Sequence, residues 1–402
     1  MEEHGELPPE IIDDILLRLP AKSLCRFKCV SKPWKALISD HDFVIKHINR
    51  ATENKDVFLQ RRRVIFTDSA DKGLYTMDLD EFLKNHNHVG DIGDDYDEDE
   101  QVAATELDYI YREQPSVRVS FFHSCDGLIL LELSNAELYL VNPATSESKH
   151  LPKPRQDRDL SANYNYHLYG FGIDSSTSQY QLVRGDIFVP DENLHRIGTV
   201  ISVFNFEADS WRHIPGLSHG YFPASSQLHR NENGVLLHGR FHWLMASFAR
   251  VPGDEEYVIL VFNPTMIDET REIQLPLELS GGSQLVKVGA FREWLCITFA
   301  TEEPHDVETY TEFWVMKEYG VRESWTKMRV SIPYTELYHS GFWTESHDLM
   351  FSGERLLLYN FDEEDPQIRK LSVRETGRVG RVGVYIESLV SVRDLNIMRI
   401  QT

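Results

Sequence analysis

The chain has 402 residues and a formal net charge of −23, with 41% hydrophobic and 11% aromatic residues. This length accommodates a small domain together with a large one, and the composition is that of a globular protein. The first fifty residues carry eight basic and eight acidic side chains, so the remaining 352 residues hold the whole negative charge. A surface of this sign repels nucleic acid and anionic lipid, and neither is expected as a partner.

The four cysteines (Cys25, Cys29, Cys125 and Cys296) include no CxxC pair, which indicates a reducing compartment. The N-terminal letters MEEHGELPP lack the apolar core of a secretory signal, and no apolar run approaches the roughly eighteen residues of a transmembrane helix. We therefore expect a protein of the cytoplasm, the nucleus or both, with no membrane partner.

The N-terminal segment from Leu7 to Phe43 predicts three short helices. Pro9 is tolerated in the first turn of the first helix, and Pro20 ends that helix. The second helix follows from Ala21, and Ser31 is a favourable N-cap for the third.

The first of these helices has more apolar residues than one buried face requires. Six of the nine residues from Ile11 to Leu19 are apolar, against about three in seven for a helix with a single buried stripe. This excess predicts either a docked partner helix or a cap that packs on the rest of the same chain.

A repeat of about sixty residues organises the chain beyond Val117. Four units end in an aliphatic residue and proline, at intervals of 63, 61 and 57 residues: Leu151-Pro152, Ile214-Pro215, Leu275-Pro276 and Ile332-Pro333. Each unit contains four strand-like phrases, and a fifth, degenerate unit begins near His339 and ends at Val373. Four antiparallel strands in a unit of this size predict a β-propeller blade.

The two ends of the propeller region are predicted to meet. Val57 to Phe66 and Gly73 to Leu79 are too few strands for a blade, so we expect the C-terminal strand Val382 to Val392 to join them and leave no sheet edge exposed. The predicted count is six blades, with seven as the alternative. Residues 81–116 are predicted to form a disordered loop, because seven of the ten residues from Asp91 to Glu100 are acidic.

The spacing L-P-x-E-I-I-x-D-I-L-x-R-L-P-x-K-S-L-x-R-F-K-x-V-S-K-x-W resembles the F-box of plant F-box proteins. The phrases CDGLILL, NPATSE, YGFGIDSSTSQYQLVR and WVMKEYGVRESW resemble the F-box-associated interaction domain of the same proteins. This resemblance implies a small all-α F-box domain (residues 1–50) followed by an all-β, kelch-like propeller (residues 51–402). The wider family includes regulators of plant immune receptors and the S-locus pollen proteins.

The resemblance also implies the function. The helices would dock on the Skp-type adaptor of a Skp–cullin–F-box E3 ubiquitin ligase, a cullin–RING ligase, and the propeller would bind a protein substrate, by analogy an immune receptor or an S-locus ribonuclease. Ubiquitination and proteasomal degradation of that substrate would follow, and the chain itself would catalyse nothing. The residues expected to form or support the adaptor surface are Leu7, Pro8, Ile11, Ile15, Leu16, Pro20, Leu24, Val30 and Trp34.

Loop lengths predict the substrate face. We expect the longest loops to be connections between the second and third strands of a blade, or between blades: Asp80 to Ser116, Pro152 to Asn165, Arg184 to Thr199, Gly216 to Asn233, Ala249 to Glu256 and Thr301 to Thr311. They carry the arginine and aromatic side chains typical of protein interfaces. The predicted substrate-binding residues are Arg155, Arg158, Tyr164, Phe188, His195, Arg196, Tyr221, Phe222, Arg250 and Tyr310.

The sequence offers little support for catalysis. The pairs His86 with His88 and His238 with His242 lack companions at zinc-ligand spacing, so a structural role is expected for them and no metal. No nucleotide-binding or nucleophile-elbow motif is present, and no cofactor is expected. Two alternatives remain: a kelch-like propeller enzyme, and a scaffold that uses the same helices without ubiquitination.

Overall fold

The structure is a computed structural model that describes residues 8–68, 70–79, 104–110, 117–154, 164–173, 179–189, 198–214, 221–223, 231–248, 255–264, 270–279, 285–291, 294–300, 311–330, 348–352, 355–360, 365–370 and 379–395. The chain divides into two compact units. The first comprises Met1–His88, Ile92–Leu151 and Val373–Thr402, and the second comprises Val89–Asp91 and Pro152–Ser372.

Five helices open the first unit: α1 (Pro9–Leu17), α2 (Ala21–Phe27), α3 (Lys32–Ile38), α4 (His41–Glu53) and α5 (Lys55–Arg61). The three predicted helices are confirmed, including the N-cap of α3, where the Ser31 hydroxyl accepts a hydrogen bond from the Trp34 backbone N–H. Asp40 caps α4 in the same way. The helices pack through buried aliphatic side chains such as Leu16, Leu24 and Ile38.

The strands of the described residues are, in chain order, β1 (Arg62–Asp68), β2 (Leu74–Asp78), β3 (Thr105–Glu106), β4 (Val119–Cys125), β5 (Leu128–Leu133), β6 (Leu138–Asn142), β7 (Glu147–Leu151), β8 (Tyr164–Ile173), β9 (Tyr180–Val189), β10 (Gly198–Asn205), β11 (Ser210–Ile214), β12 (Tyr221–Pro223), β13 (Asn231–Asn233), β14 (Val235–Leu237), β15 (Arg240–Phe248), β16 (Glu255–Phe262), β17 (Arg271–Gln274), β18 (Leu285–Phe291), β19 (Trp294–Ala300), β20 (Thr311–Met316), β21 (Trp325–Val330), β22 (Asp348–Ser352), β23 (Arg355–Asn360), β24 (Asp365–Lys370) and β25 (Val379–Ile386).

The first unit contains two four-stranded antiparallel sheets, ordered β25-β1-β2-β3 and β4-β5-β6-β7. The pairing predicted between the two ends of the chain is confirmed, because β25 pairs antiparallel with β1 from Arg62 opposite Ile386 to Asp68 opposite Val379. The predicted bounds of the C-terminal strand, Val382 to Val392, are wrong, since β25 ends at Ile386. Strand β25 lies against β4, so it is the strand of the first sheet nearest to the second. Aliphatic residues of both sheets, among them Ile65 and Ile129, share one buried cluster.

One predicted strand in this unit begins too early. Val57 to Arg61 belong to α5, and β1 begins only at Arg62. The reason is local, since the Asn54 side chain accepts a hydrogen bond from the Val57 backbone N–H and stabilises the first turn of α5.

The predicted disordered loop is also partly wrong. Residues 104–110, which lie inside it, form β3 and a 3-10 helix at Asp108–Ile110. Leu107 and Ile110 are buried in the cluster shared by the two sheets, so their apolar side chains explain why this stretch is ordered. The acidic residues 91–100 lie outside the described residues.

The described residues of the second unit contain four sheets, formed by β8–β11 with β13, by β12 and β14–β17, by β18–β21, and by β22–β24. Together with the first unit, five sheets have the four or more strands of a complete blade, whereas β22–β24 has three among the described residues. Within the described residues the structure thus shows five blades, and the predicted six is wrong, as is the alternative of seven. The first strand predicted for the incomplete unit, His339 to Trp343, lies outside the described residues.

Two sheets of the second unit approach closely at the YGFG phrase. A Cβ atom on Gly170 would lie 2.7 Å from the Phe241 ring, and one on Gly172 would overlap Leu236. The Tyr169 carbonyl accepts hydrogen bonds from the Trp243 indole and the Gly234 backbone N–H. The two glycines are therefore explained by packing between neighbouring sheets.

Candidate functional site

The candidate site is the surface of the N-terminal helices. The side chains of Ile11, Ile15 and Val30 are 48%, 47% and 65% exposed. Ile11 and Ile15 are four residues apart on α1 and therefore lie on one side of that helix. Among the described residues only two other large hydrophobic side chains, Leu277 and Val321, are exposed to a comparable degree. Three of these five exposed side chains therefore lie within the twenty residues from Ile11 to Val30.

The other residues predicted for the adaptor surface occupy different environments. Pro8 is exposed, and Pro20 and Trp34 are half-buried. Leu16 and Leu24 are buried and can only support the surface from beneath. The Trp34 ring packs edge-on against Phe27, with the ring centroids 5.4 Å apart. Leu7 lies outside the described residues.

A buried arginine at the end of α5 joins the end of α1 to the middle of α4. The Arg61 side chain, 1% exposed, donates hydrogen bonds to the carbonyl oxygens of Leu17 at 2.6 Å and of Leu19 at 3.2 Å. It also donates to the carbonyl of His47. Burial lowers the pKa of Arg61 to about 10, so the guanidinium remains charged at neutral pH.

His47 completes this buried polar cluster. Its Nε2 lies 3.0 Å from the Leu19 carbonyl and its Nδ1 lies 3.2 Å from Arg61 Nη1. Because the guanidinium can only donate, Nδ1 must accept, and Nε2 carries the proton. Burial, together with the neighbouring charge of Arg61, lowers the pKa of His47 to about 3 and keeps the ring neutral.

Only some of the residues predicted for the substrate face are among the described residues. Arg155, Arg158, His195, Arg196, Arg250 and Tyr310 lie outside the described residues. Tyr164 begins β8 and Phe222 lies in β12, so both belong to strands. The prediction that Phe188 and Tyr221 lie in loops is wrong, because both are in strands and are buried. Strand β9 runs on to Val189, and the Tyr221 hydroxyl donates a hydrogen bond to Glu272.

Several of the connections differ from those assigned by loop length. Residues 80–103 join β2 to β3, the third and fourth strands of the first sheet, so this longest excursion belongs to the class that was expected to be short. The predicted loop from Gly216 to Asn233 contains β12 and β13. The excursions at 249–254 and 301–310 do join second and third strands, as predicted.

The histidines considered as metal ligands have structural contacts where they are described. His242 is buried, with Nδ1 3.1 Å from the Val235 carbonyl and Nε2 2.7 Å from the Tyr319 hydroxyl. Burial lowers the pKa of His242 to about 4. Within the described part of the chain, no group of three or more His, Cys, Asp or Glu side chains is placed to hold a metal ion. His86 and His88 lie outside that part.

Three polar residues hold the helices on the first sheet without being predicted to do so from the sequence. Arg61 lies inside the predicted strand Val57 to Phe66, and no motif marks Glu387 or His47. A signal was present for Arg61, since it is the first of three consecutive arginines where α5 ends and β1 begins.

No helix of the described residues is long and apolar enough to cross a membrane.

Comparison with known proteins gives two matches to family models. The F-box domain model matches residues 5–46, and the F-box associated beta propeller domain model matches residues 74–392. F-box protein CPR1 of Arabidopsis thaliana is 29% identical over 336 residues, which cover 80% of this chain and 72% of the relative. An F-box/kelch-repeat protein of the same plant is 25% identical over 97% of this chain and 96% of its own length. Among solved structures, the tricorn protease gives a TM-score of 0.39 at 8% identity over 81% of this chain and 30% of its own.

Proposed function

The chain belongs to the plant F-box proteins that carry an F-box-associated β-propeller domain, and on this basis we propose that it is the substrate-recognition subunit of a Skp–cullin–F-box E3 ubiquitin ligase. The helices bind a Skp-type adaptor, and the propeller binds a protein substrate in the cytoplasm or nucleus. Ubiquitination and proteasomal degradation of that substrate follow.

The observation that carries the proposal is the exposure of Ile11 and Ile15 on α1 and of Val30 in the turn after α2. By contrast, Leu16, Leu24 and Ile38 of the same helical region are buried. Fully burying an isoleucine or valine side chain contributes roughly 1.5–3 kcal/mol. Covering the exposed half of the two isoleucines with a partner helix therefore favours association, and these side chains lie inside the segment that matches the F-box domain.

The proposed subunit accelerates ubiquitination without catalysing it. Holding a substrate beside the ubiquitin-charged enzyme of the ligase converts an encounter in solution into a nearly intramolecular reaction. No cofactor or metal takes part in this role.

Aspartate at both Ile11 and Ile15 tests adaptor docking. The double substitution places two charges on the docking surface and should abolish co-purification with a Skp-type adaptor and a cullin. The matched control replaces Leu277 and Val321 by aspartate, because these large hydrophobic side chains are also exposed, at 74% and 40%, but lie in the second unit. We expect that control to bind the adaptor normally. Leu7→Ala with Pro8→Ala is a milder test of the same surface. Undiminished adaptor binding by both of these double variants would rule out this surface.

Substrate binding is tested by shortening the connections of the propeller. Replacing residues 249–254 and 301–310 by short glycine–serine links should stop the fall in substrate abundance that follows induced expression, while adaptor binding persists. Proteomics of cells that express either version identifies the substrate by its abundance. If adaptor and cullin bind but no protein declines, the alternative of a scaffold that acts without ubiquitination is favoured.

A further inference from the structure

At the junction between α1 and α2, the side chains of the junction itself cap neither the end of α1 nor the start of α2. α1 ends without a basic residue in its last turn, and α2 begins after Pro20, whose side chain makes no cap hydrogen bond. The first N–H groups and last C=O groups of a helix need partners outside the helix. At this corner the partners come from elsewhere in the chain.

The carbonyl groups of Leu17 and Leu19 are satisfied by Arg61, as described above. The positive charge of the guanidinium is favourable beside the end of α1, where unpaired carbonyl groups concentrate negative charge. Arg61 is the last residue of α5, and β1 of the first sheet starts at the next residue. The end of α1 is therefore attached to the sheet.

The N–H group of Ala21, at the start of α2, is satisfied by Glu387. It donates a hydrogen bond of 2.7 Å to Glu387 Oε1, although 366 residues separate the two. Glu387 follows directly on β25, and its own backbone N–H donates to the Arg61 carbonyl at 3.0 Å. Its second carboxylate oxygen lies 3.1 Å from Arg63 Nη2. Glu387 thus links α2 to β1 through its buried carboxylate, and it contacts α5 through its backbone N–H group.

The C-terminal segment Glu387–Leu395 is itself firmly held. Leu389, Val390, Val392 and Leu395 are buried. Asn142, from the NPAT motif, donates hydrogen bonds to the carbonyl groups of Ser388 and Val390, at 3.1 and 2.7 Å. Ser388 donates to the carbonyl of Asp126, from the CDGL motif, at 2.6 Å. The two motifs therefore anchor the segment that carries Glu387.

We propose that Glu387 is a positioning residue for the adaptor-docking helices. Through its hydrogen bond with Ala21 it fixes α1 and α2 on the sheet β25-β1-β2-β3. Adaptor docking therefore depends on the C-terminal segment of the chain. The proposal rests on the proposed function only for the identity of the partner. It deepens that function, since a fixed orientation of the helices sets where the substrate lies in the ligase.

Glu387→Met tests the proposal, because methionine keeps the volume of the side chain and removes both acceptors. Hydrogen exchange of the Ala21 amide should accelerate by at least about tenfold, since an unmade buried hydrogen bond is costly. Amides of β15 and β16 in the second unit should exchange as in the wild type. The affinity for a Skp-type adaptor, measured by calorimetry, should fall by about tenfold or more.

Two further variants separate positioning from general stability. Glu387→Gln retains an oxygen that can accept from Ala21, and it should restore both the protection of that amide and adaptor affinity to within about twofold. Glu147→Ala removes a different carboxylate, on β7, which also contacts the C-terminal segment: Glu147 Oε2 accepts from the Val392 N–H at 3.2 Å. It should leave the exchange of Ala21 unchanged.

Unchanged exchange of Ala21 in Glu387→Met would overturn the proposal, as would equal effects of Glu387→Met and Glu147→Ala. If Glu387→Met does not fold, Glu387→Gln decides alone: loss of adaptor binding while the Ala21 amide stays protected contradicts the proposal, and retention of both supports it. If the wild-type chain binds no adaptor, the proposed function fails, but the exchange measurements still test the positioning of the helices.

Discussion

A Cβ atom on Gly127 would lie 2.6 Å from the carbonyl oxygen of Ile386, the last residue of β25. Gly127 also has a φ of +79°, in the left-handed region that favours glycine. The tight turn between β4 and β5 therefore requires glycine for two separate reasons, its backbone conformation and the proximity of the C-terminal strand.

Gly127→Ala should lower stability by several kcal/mol, because backbone strain of about 1–2 kcal/mol adds to about 1–3 kcal/mol of overpacking. Gly320 provides the matched control, since its φ is +81° and nothing lies within 4 Å of the position of its Cβ. Gly320→Ala should lose only the stability that the backbone strain costs. Chemical denaturation of both variants measures the difference, and equal costs would mean that the contact with Ile386 does not matter.

Deleting the last twenty-one residues should expose the edge of β1 and remove the segment that holds α2. We expect the truncated protein to aggregate or to melt much earlier, because an unpaired strand edge is a template for association. Deleting only residues 396–402 leaves Leu395 and everything before it, and should preserve solubility. Light scattering and a thermal melt compare the two, and a soluble, equally stable longer deletion would contradict the pairing of β1 with β25.

Acid should destabilise the helical region through His47. Its pKa is about 3 in the folded protein and near the ordinary 6.5 when unfolded, so the unfolded state binds the additional proton between these values. Stability therefore falls as the pH drops from about 6.5 towards 3, by up to roughly 1.4 kcal/mol per pH unit for this one group. His47→Gln, whose amide can donate to the Leu19 carbonyl, should be less stable at pH 7 but show a smaller loss between pH 6.5 and 4. An unchanged pH dependence in that variant would assign the acid sensitivity to other groups.

Removing the negative charge of Asp186 should lower the stability of the protein. It accepts hydrogen bonds from Arg184 Nε at 2.8 Å and from His167 Nδ1 at 2.7 Å, and the Arg184 and Asp186 side chains are nearly buried. Burial raises the pKa of Asp186, but these bonds outweigh it and hold the pKa below its usual value. Asp186→Asn leaves Arg184 uncompensated and should cost about 3–5 kcal/mol. The double variant Arg184→Met with Asp186→Leu should cost less, as measured by denaturation, and a greater loss would contradict this reasoning.

Local signals in the sequence predicted much of this fold correctly. Proline and serine at helix ends located α1 to α3. The repeat with aliphatic-proline endings predicted sheets of four antiparallel strands, as observed for β4–β7 and β18–β21. The pairing of the two chain ends followed from the need to complete a blade. These features depend on residues close together in the sequence, or on a simple count of strands.

The errors arose where long-range contacts decide the outcome. Residues 104–110 follow an acidic stretch, and only the buried environment of Leu107 and Ile110 reveals why they are ordered. Phe188 and Tyr221 looked like loop residues because the lengths of β9 and β12 depend on their neighbours in the sheets. Glu387 was missed because its partner, Ala21, is 366 residues away.

The pairing of β1 with β25 has a consequence for synthesis on the ribosome. Strand β1 is complete once residue 68 has been made, but its partner begins only at Val379. At roughly 5–20 residues per second, β1 waits about 15–60 s for that partner. A transcript with a premature stop codon after the last repeat would therefore yield a chain with most of its sheets but an unfinished N-terminal unit, which the quality-control proteases of the cell would be expected to remove.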